Sequence, residues 1–255
     1  MINEKNGVIL VTGGTGFVGS HLVDSLTGKG YRVRCLVRKS SNLKYLKQPG
    51  VEFAYGGLDA DTDWDTAFKD VDTVYHVAGL TFARRASDYF TVNHKGTENI
   101  LGAALRRRER LRRFVHISSL AAIGPAVDGE AVTETTPPRP ITPYGRSKLA
   151  GEEALRMVRD LIDYTIVRPP AVYGPRDYAI FEFFKAVKRG TSAVIGPDDM
   201  KFSIVHVRDL VNGIMLAGQS EVARGRSYFI SGERVYSVRQ VNELLMEIIG
   251  KRARI

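Results

Sequence analysis

The stretch GVILVTGGTGFVG (7–19) decides the fold. An apolar, largely β-branched run at 7–12 passes directly into glycines at 13, 14, 16 and 19, and a helix-like segment follows. In such a unit Gly13 permits the tight turn, Gly16 lets a pyrophosphate approach the backbone, and Gly19 lets helix and strand pack closely. The free N–H groups of the first helical turn favour an anion. The pattern predicts a dinucleotide-binding bend formed by Gly13, Thr15, Gly16, Phe17, Val18 and Gly19.

Short β-branched runs alternate with longer amphipathic stretches in the first two thirds of the chain. The runs lie at 7–12, 31–37, 51–55, 72–78, 113–119 and 163–169, and the helix-like segments lie near 17–29, 62–69, 87–110 and 142–161. Continuous apolar runs suit strands buried on both faces of a parallel sheet. Strand–helix alternation implies right-handed crossovers. The sequence therefore predicts an α/β fold, a Rossmann-type doubly wound parallel sheet.

The alternation loosens after residue 170, which predicts a small C-terminal substrate lobe built from non-contiguous pieces. We expect 1–170, with about 207–223, to form the dinucleotide-binding Rossmann domain. The remaining pieces, about 171–206 and 224–255, are expected to form the lobe.

The net charge, the number of cysteines and the hydropathy of the chain narrow the class of protein further. Much of the formal charge of +9 comes from residues 106–113, with six arginines and one glutamate at the end of a predicted helix, where the helix dipole favours cations. We interpret this run as a solvated helix end, with a nucleic-acid or anionic-surface patch as the alternative. The single cysteine, the lack of a secretion signal at the start, and the absence of an apolar run of about 18 residues favour a cytoplasmic protein without a membrane segment. The five histidines have no metal-ligand spacing, so no metal is expected.

The end of the second strand bears on the choice of dinucleotide. NAD-binding folds usually carry an acidic residue here for the adenosine 2′-hydroxyl, but Val37 occupies that position and Arg38 follows, with Ser40 and Ser41 nearby. A guanidinium suits a 2′-phosphate through charge-assisted hydrogen bonds. The sequence favours NADP, with acceptance of NAD as the alternative.

Tyr144 and Lys148 form a candidate catalytic pair, because a spacing of four residues places them on one helix face. A neighbouring cation lowers the pKa of a phenol, which can then exchange a proton with a carbinol or carbonyl. Ser118 and Ser119 end the fifth strand, at the sheet edge where ligands bind in such folds. Ser119 is therefore a candidate to hydrogen-bond the reacting oxygen.

With these motifs in view, the chain resembles the extended short-chain dehydrogenase/reductase family, and within it the NAD(P)-dependent epimerase/dehydratases, including dihydroflavonol-reductase-like members and hopanoid-associated sugar epimerases. The segments that carry the resemblance are TGGTGFVG (12–19), HVAG (76–79), YFTVNHKGTENIL (89–101), YGRSK (144–148), VRPPAVYGP (167–175) and FSIVHVRDL (202–210). The resemblance implies that Tyr144 is the acid/base, that Lys148 lowers its pKa and binds the ribose, and that Ser119 orients the substrate. It also implies cofactor contacts from Leu58, Ala78, Gly79, Asn93, Ser118, Pro169 and Val172, and it makes Thr81 a substrate candidate.

Three departures from the family pattern bear on the prediction. Gly57 stands where an adenine-binding Asp is common, which leaves adenine recognition to the backbone near Leu58 or to Asp59. Ser119 is followed by Leu120 and not by an acidic pair, which argues against sugar 4,6-dehydration. Family members also usually continue beyond the position of Ile255, so we expect either a truncated chain or a reduced substrate lobe.

The expected activity is Tyr/Lys-assisted hydride transfer at a carbinol or carbonyl carbon of a nucleotide sugar or similar small molecule. The alternatives are a dihydroflavonol-reductase-like, NADPH-dependent carbonyl reductase and a non-catalytic dinucleotide-sensing scaffold. Relatives suggest a homodimer through the helices near 87–110 and 142–161. Substrate specificity is expected to come from the loops near 80–90, 124–140 and 175–205.

Overall fold

The fold is given by a computed structural model that describes residues 7–126, 130–191 and 201–252. The strands are β1 Val8–Thr12, β2 Arg32–Val37, β3 Val51–Tyr55, β4 Val71–His76, β5 Arg113–Ile117, β6 Tyr164–Arg168, β7 Ala171–Tyr173, β8 Lys201–His206, β9 Arg226–Phe229 and β10 Val235–Ser237. The α-helices are α1 Phe17–Gly28, α2 Trp64–Ala67, α3 Ala86–Tyr89, α4 Gly96–Arg106, α5 Pro143–Met157, α6 Ala179–Lys188, α7 Val207–Gln219 and α8 Val238–Ile249.

The chain divides into two compact units. The first unit contains the residues up to Pro169 together with Val211–Phe229, and the second contains Pro170–Leu210 and the residues from Ile230 onward. The sequence pattern had assigned 224–229 to the small lobe. In the structure four of these residues form β9, which pairs in parallel with β6 as the edge strand of the large sheet.

A seven-stranded parallel sheet forms the centre of the first unit. Its strand order is β3-β2-β1-β4-β5-β6-β9, and every neighbouring pair is parallel. This order, which reverses direction beside β1, is the doubly wound arrangement with a ligand-binding crevice at the carboxyl ends of β1 and β4. All residues of β1, β5 and β6 are buried, as expected for strands covered on both faces. The predicted Rossmann-type fold class is confirmed.

The predicted helix at 87–110 is divided in the structure. The chain forms α3, then a π-helical turn at Phe90–Lys95, and then α4, which ends at Arg106. The wider π turn contains the buried Asn93, and π turns inside helices often occur at functional sites. The arginine-rich segment that follows α4 is largely exposed, and its Arg107 forms an ion pair with Asp65.

Local sequence explains where α5 begins. Thr142 is its N-cap, and the Thr142 hydroxyl accepts a hydrogen bond from the N–H of Gly145 at 3.0 Å. Pro143 occupies the first helical position, where the missing N–H costs nothing. This start places Tyr144 and Lys148 in the first two turns of α5.

The second unit contains a three-stranded sheet with the order β10-β8-β7. β7 and β8 are parallel, and β10 is antiparallel to β8. α8 begins with a capping box in which Ser237 and Gln240 exchange side-chain and backbone hydrogen bonds. Among the described helices, none combines the length and apolar character needed to cross a membrane.

Candidate active site

The glycine bend after β1 is shaped by close backbone contacts. Gly13 has a φ of +71°, and a Cβ there would lie 2.6 Å from the backbone nitrogen of Ala78. A Cβ on Gly19 would lie 2.1 Å from the carbonyl oxygen of Gly13, whereas Gly16 is exposed. α1 begins at Phe17 without a side-chain cap on Gly16. The glycines therefore let the bend pack directly against the β4 loop and against α1, and the first-turn N–H groups of α1, which lack partners within the helix, fit a dinucleotide diphosphate.

The β4 end is tied to the bend by Thr12. The Thr12 hydroxyl accepts a hydrogen bond from the N–H of Ala78 at 3.1 Å and bonds Nδ1 of His76 at 2.8 Å. Burial lowers the pKa of His76 to about 3, so the ring stays neutral. These bonds place the predicted Ala78 directly beside Gly13, and the predicted Gly79 follows it in the chain.

Asn93 joins the loop after β4 to α5. Its Oδ1 accepts a hydrogen bond from the N–H of Leu80 at 2.7 Å, and its Nδ2 donates to the Leu80 carbonyl at 3.0 Å. Nδ2 also donates to Oγ of Ser147 at 2.9 Å. The side chain is buried and fixes the distance between Gly79 and the helix that carries Lys148, which gives it a positioning function.

Tyr144, Lys148 and Ser119 come together at the carboxyl edge of the sheet. Tyr144 is half-buried on α5, and Lys148 lies one turn later, with its Nζ donating to the Ile117 carbonyl at 2.6 Å. Ser119 follows β5 and caps a 3-10 turn at Leu120–Ala122, where its Oγ accepts from a backbone N–H at 3.2 Å. A Cβ on Gly79 would lie 3.5 Å from Nζ of Lys148, so the β4 loop borders the same space.

The electrostatics differ in one respect from the prediction. Burial raises the pKa of Tyr144, and a hydrogen-bond interaction with Ser119 acts in the opposite direction. Burial lowers the pKa of Lys148 to about 8, partly opposed by the charge of Glu152. The sequence analysis attributed the lowering of the Tyr144 pKa to Lys148, but the opposing influence in this structure comes from Ser119. The lysine amine is engaged instead with the Ile117 carbonyl.

The residues predicted to bind the adenosine end of the dinucleotide lie in two separate segments, one after β2 and one after β3. Arg38 is exposed immediately after β2, and its backbone N–H donates to Oγ of Ser41 at 3.1 Å. The Leu58 carbonyl accepts a hydrogen bond from Nδ2 of Asn99 at 2.7 Å. Asp59 accepts a hydrogen bond from Thr62 at 3.0 Å, so its carboxylate is already engaged within the loop.

The remaining predicted site residues lie after β4, β5 and β6 and in β7. Ser118 is buried, and its backbone N–H bonds the Val167 carbonyl at 2.7 Å. The Pro169 carbonyl accepts a hydrogen bond from the N–H of Leu120 at 2.9 Å, which ties the end of β6 to the Ser119 segment. Thr81 is exposed in the loop after β4, and Val172 lies in β7 of the second unit.

The sequence analysis missed Tyr89. Its ring packs against the ring of Tyr144 with centroids 5.9 Å apart, and its hydroxyl accepts a hydrogen bond from the N–H of Ala83 at 3.0 Å. Tyr89 therefore forms a wall of the site and holds the loop after β4. The YF pair at 89–90, just ahead of the Asn93 motif, was the available signal. Within the described ranges, no group of three or more His, Cys, Asp or Glu side chains is placed to hold a metal ion.

Short-chain dehydrogenases/reductases typically combine a doubly wound sheet with a glycine bend after the first strand. They also carry a Tyr and a Lys on one helix face, as Tyr144 and Lys148 lie on α5 here. The model of the NAD dependent epimerase/dehydratase family matches residues 9–231. The chain belongs to this family, a branch of the extended short-chain dehydrogenases/reductases, as its sequence motifs indicated. Its members are oxidoreductases and isomerases that use a nicotinamide dinucleotide.

Individual relatives agree with this assignment. Ceramide reductase of Caulobacter vibrioides is 33% identical over 209 residues, which cover 82% of this chain and 60% of that protein. Sterol demethylase protein B of Methylococcus capsulatus is 34% identical over 254 residues, covering 94% of this chain and 74% of that protein. The structure of UDP-glucuronic acid 4-epimerase from Bacillus cereus, in complex with UDP-glucuronic acid and NAD, matches with a TM-score of 0.87 at 27% identity, covering 96% of this chain and 84% of that one.

Proposed function

We propose that this chain is an NAD(P)-dependent oxidoreductase in which Tyr144 exchanges a proton with a substrate oxygen during hydride transfer at a carbinol or carbonyl carbon. The observation that carries the proposal is the convergence of Tyr144, Lys148 and Ser119 beside the loop that follows β4. That loop is bonded to the glycine bend through Thr12. This arrangement supports proton transfer and dinucleotide binding at one sheet edge.

The bend at 13–19 would hold the diphosphate, and Gly79, Lys148 and Pro169 would border the nicotinamide end. When bound, the dinucleotide supplies or accepts the hydride. The residues of this chain supply the rest of the chemistry, which is orientation of the substrate oxygen, a proton, and a positive charge close to both.

Tyr144 is suited to donate a proton to a carbonyl oxygen. Because burial raises its pKa, the phenol keeps its proton near neutral pH, and its interaction with Ser119 orients the hydroxyl. Lys148 remains largely charged below about pH 8 and would favour the phenolate left after donation. Ser119 would hydrogen-bond the same substrate oxygen. A protonated Tyr144 beside a charged Lys148 suits reduction of a carbonyl group, in which the substrate oxygen gains a proton.

Arg38 supports a preference for NADPH. It is exposed at the end of β2, where dinucleotide-binding folds recognise the adenosine ribose, and its neighbour Ser41 contributes a hydroxyl. An arginine binds a 2′-phosphate through charge-assisted, bidentate hydrogen bonds. NAD remains the alternative, and the NAD-bound UDP-glucuronic acid 4-epimerase supports that alternative.

The substrate class that we favour is a hydroxy/keto compound reduced by NADPH. The names of two relatives at 33% and 34% identity, a ceramide reductase and sterol demethylase protein B, support an apolar substrate of this kind. Epimerisation of a nucleotide sugar is the second candidate, supported by the structural similarity to an epimerase with bound UDP-glucuronic acid. A reductase releases its product after one hydride transfer, whereas an epimerase returns the hydride to the other face.

The test uses purified protein with NADPH and two substrate panels, one of long-chain, aromatic and steroid-like ketones and one of UDP-sugars. We expect oxidation of NADPH with at least one ketone, and a loss of about 10²- to 10⁴-fold in Tyr144→Phe. Tyr228→Phe, a change on β9 that removes a hydroxyl bonded to the Val222 carbonyl, is the control and should keep full activity. Epimerised sugar without net NADPH oxidation would favour the second candidate. Dinucleotide binding without turnover of either panel would favour a non-catalytic sensor.

We also propose a homodimer that uses the surfaces of α4 and α5. Met157, at the end of α5, and the nearby Leu161 are 85% and 56% exposed, so this end of α5 offers apolar surface to a second chain. Light scattering should give twice the mass of one chain, and Met157→Glu should shift it toward the monomer. A cytoplasmic location stays a prediction.

A further inference from the structure

A buried ion pair lies directly beneath the candidate active site. Glu152 on α5 is 0% exposed, and Arg168 at the end of β6 is 2% exposed. Nε of Arg168 donates to one carboxylate oxygen at 2.9 Å and Nη2 donates to the other at 2.7 Å. Arg156, one turn later on α5, donates to the second oxygen at 2.8 Å. The pair is bidentate, which fixes direction as well as distance.

The pair joins the elements that carry the site. Glu152 lies one helical turn after Lys148, so the two side chains share a face of α5. Arg168 is followed by Pro169, whose carbonyl accepts the N–H of Leu120 at 2.9 Å. Ser119 precedes Leu120 directly. The ion pair and this hydrogen bond together couple the helix of Tyr144 and Lys148 to the end of β6 and to the segment of Ser119.

Stability alone does not account for such a pair. Removing two charges from water is costly, and apolar side chains of similar volume often stabilise a core as well or better. The carboxylate of Glu152 keeps its charge here, because hydrogen bonds and the charge of Arg168 lower its pKa against the effect of burial. The charge of Glu152 therefore also acts on the titratable groups around it.

The nearby group is the Lys148 amine. Glu152 faces it from α5, and its charge acts against the burial that lowers the pKa of Lys148 to about 8. His76 on β4 and His116 on β5 face Lys148 from the sheet, and burial keeps both neutral by lowering their pKa values. Arg168 from β6 is paired with Glu152 itself.

We propose that the buried Glu152–Arg168 pair is a positioning device, which holds the Tyr144–Lys148 face of α5 against the ends of β5 and β6 and places a negative charge beneath the Lys148 amine. This role rests on the function proposed above. Neither residue touches the reacting atoms, and the pair acts through Lys148.

The test measures the protonation of Lys148 directly. Protein labelled at lysine Cε with an NMR-active carbon isotope is titrated, and the Lys148 resonance is assigned as the one lost in Lys148→Arg. In Glu152→Gln we expect the Lys148 midpoint to fall by about one pH unit, because an opposite charge within a few ångströms shifts a pKa by about that much or more. Glu152→Asp keeps the charge and should restore the midpoint. Glu153→Gln, at the exposed neighbouring position, is the matched control and should not move it.

A double variant, Glu152→Gln with Arg168→Met, removes both charges and guards against misfolding of the single variant. It should show a fall of the Lys148 midpoint in the same direction but smaller, because the positive charge of Arg168 is lost together with the negative charge of Glu152, and the alkaline limit of turnover should move with it. An unchanged midpoint in a folded Glu152→Gln or double variant would overturn the proposal. Failure of every pair variant to fold would assign the pair to stability and would also overturn it. Because the titration needs no substrate, a shifted midpoint in a protein that turns over nothing would refute the proposed function and leave this inference standing.

Discussion

Gly19→Ala tests whether the bend after β1 depends on close contact between α1 and the preceding turn. A Cβ at this position would lie 2.1 Å from the carbonyl oxygen of Gly13 and 3.0 Å from Cα of Gly14. Carbon–oxygen contacts are normally no shorter than about 3.3 Å, so α1 must move away from the bend by about 1 Å. The atoms in the way are backbone, which cannot rotate aside as a flexible side chain does.

This displacement has two measurable costs. Overpacking of this size typically destabilises a fold by about 1–3 kcal/mol. It also moves the first-turn N–H groups away from the diphosphate, and we expect the dissociation constant for NADPH to rise at least about tenfold, equivalent to about 1.4 kcal/mol. Urea unfolding measures the first cost, and isothermal titration calorimetry with NADPH and NADH measures the second.

Gly28→Ala, at the other end of α1, is the matched control. Nothing lies within 4 Å of a Cβ built there, and the substitution favours helix by about 0.5–1 kcal/mol. It should leave dinucleotide binding unchanged and raise stability slightly. A Gly19→Ala protein that binds NADPH as tightly as the parent would refute the assignment of the bend as the diphosphate site.

Three further predictions follow from single side chains. Arg38→Ala should weaken NADPH binding about 10- to 100-fold and leave NADH binding nearly unchanged, because a charged hydrogen bond contributes about 1.5–3 kcal/mol; calorimetry with both dinucleotides measures this. Asn93→Ala should lower the free energy of unfolding by about 2–4 kcal/mol, since it removes the partners of the Leu80 backbone and of Ser147; urea titration measures this. His116→Leu should flatten the acid dependence of stability. Burial keeps the pKa of His116 well below its ordinary value, so below about pH 6.5 the unfolded chain binds a proton that the folded chain excludes, and stability falls as the pH falls. Urea unfolding at a series of pH values measures that slope.

Each of these predictions has a clear contrary result. Lys39→Ala, the exposed neighbour of Arg38, controls for general charge, and an equal loss of NADPH and NADH affinity in Arg38→Ala would remove the argument for a 2′-phosphate site. Undiminished stability of Asn93→Ala would show that the loop after β4 does not need its clamp. An acid slope in His116→Leu as steep as in the parent would mean that another group carries the proton linkage.

The parts of the fold and site that were predictable have local signals in the sequence. The bend at 13–19 is a continuous motif, and the order of buried runs determines a doubly wound sheet because parallel strands need helical crossovers. Tyr144 and Lys148 are linked by helical spacing alone, and Ser119 by its position at a strand end. Each inference needed a few neighbouring residues and a general rule of backbone geometry.

The parts that were not predictable depend on contacts between distant segments. Glu152 and Arg168 form an ion pair because the fold brings α5 next to β6, and no spacing in the sequence predicts that pairing. The ring of Tyr89 reaches Tyr144 from a helix that the hydrophobic pattern predicted as continuous, and the π turn that follows Tyr89 was not visible in it. The interaction of Tyr144 with Ser119 was not predictable for the same reason, because it depends on which polar atom each side chain reaches.

The late arrival of β9 has a consequence for biosynthesis. β6 ends at Arg168, whereas its outer neighbour begins at Arg226, so a ribosome must add the intervening segment before that edge of the sheet can be sealed. Until then the nascent protein presents a row of open backbone hydrogen-bonding groups along a strand whose residues are all buried in the finished fold, which is a template for association with another chain. Fragments that stop short of Arg226 should therefore aggregate during expression, and a chaperone that shields strand edges should matter most during that interval.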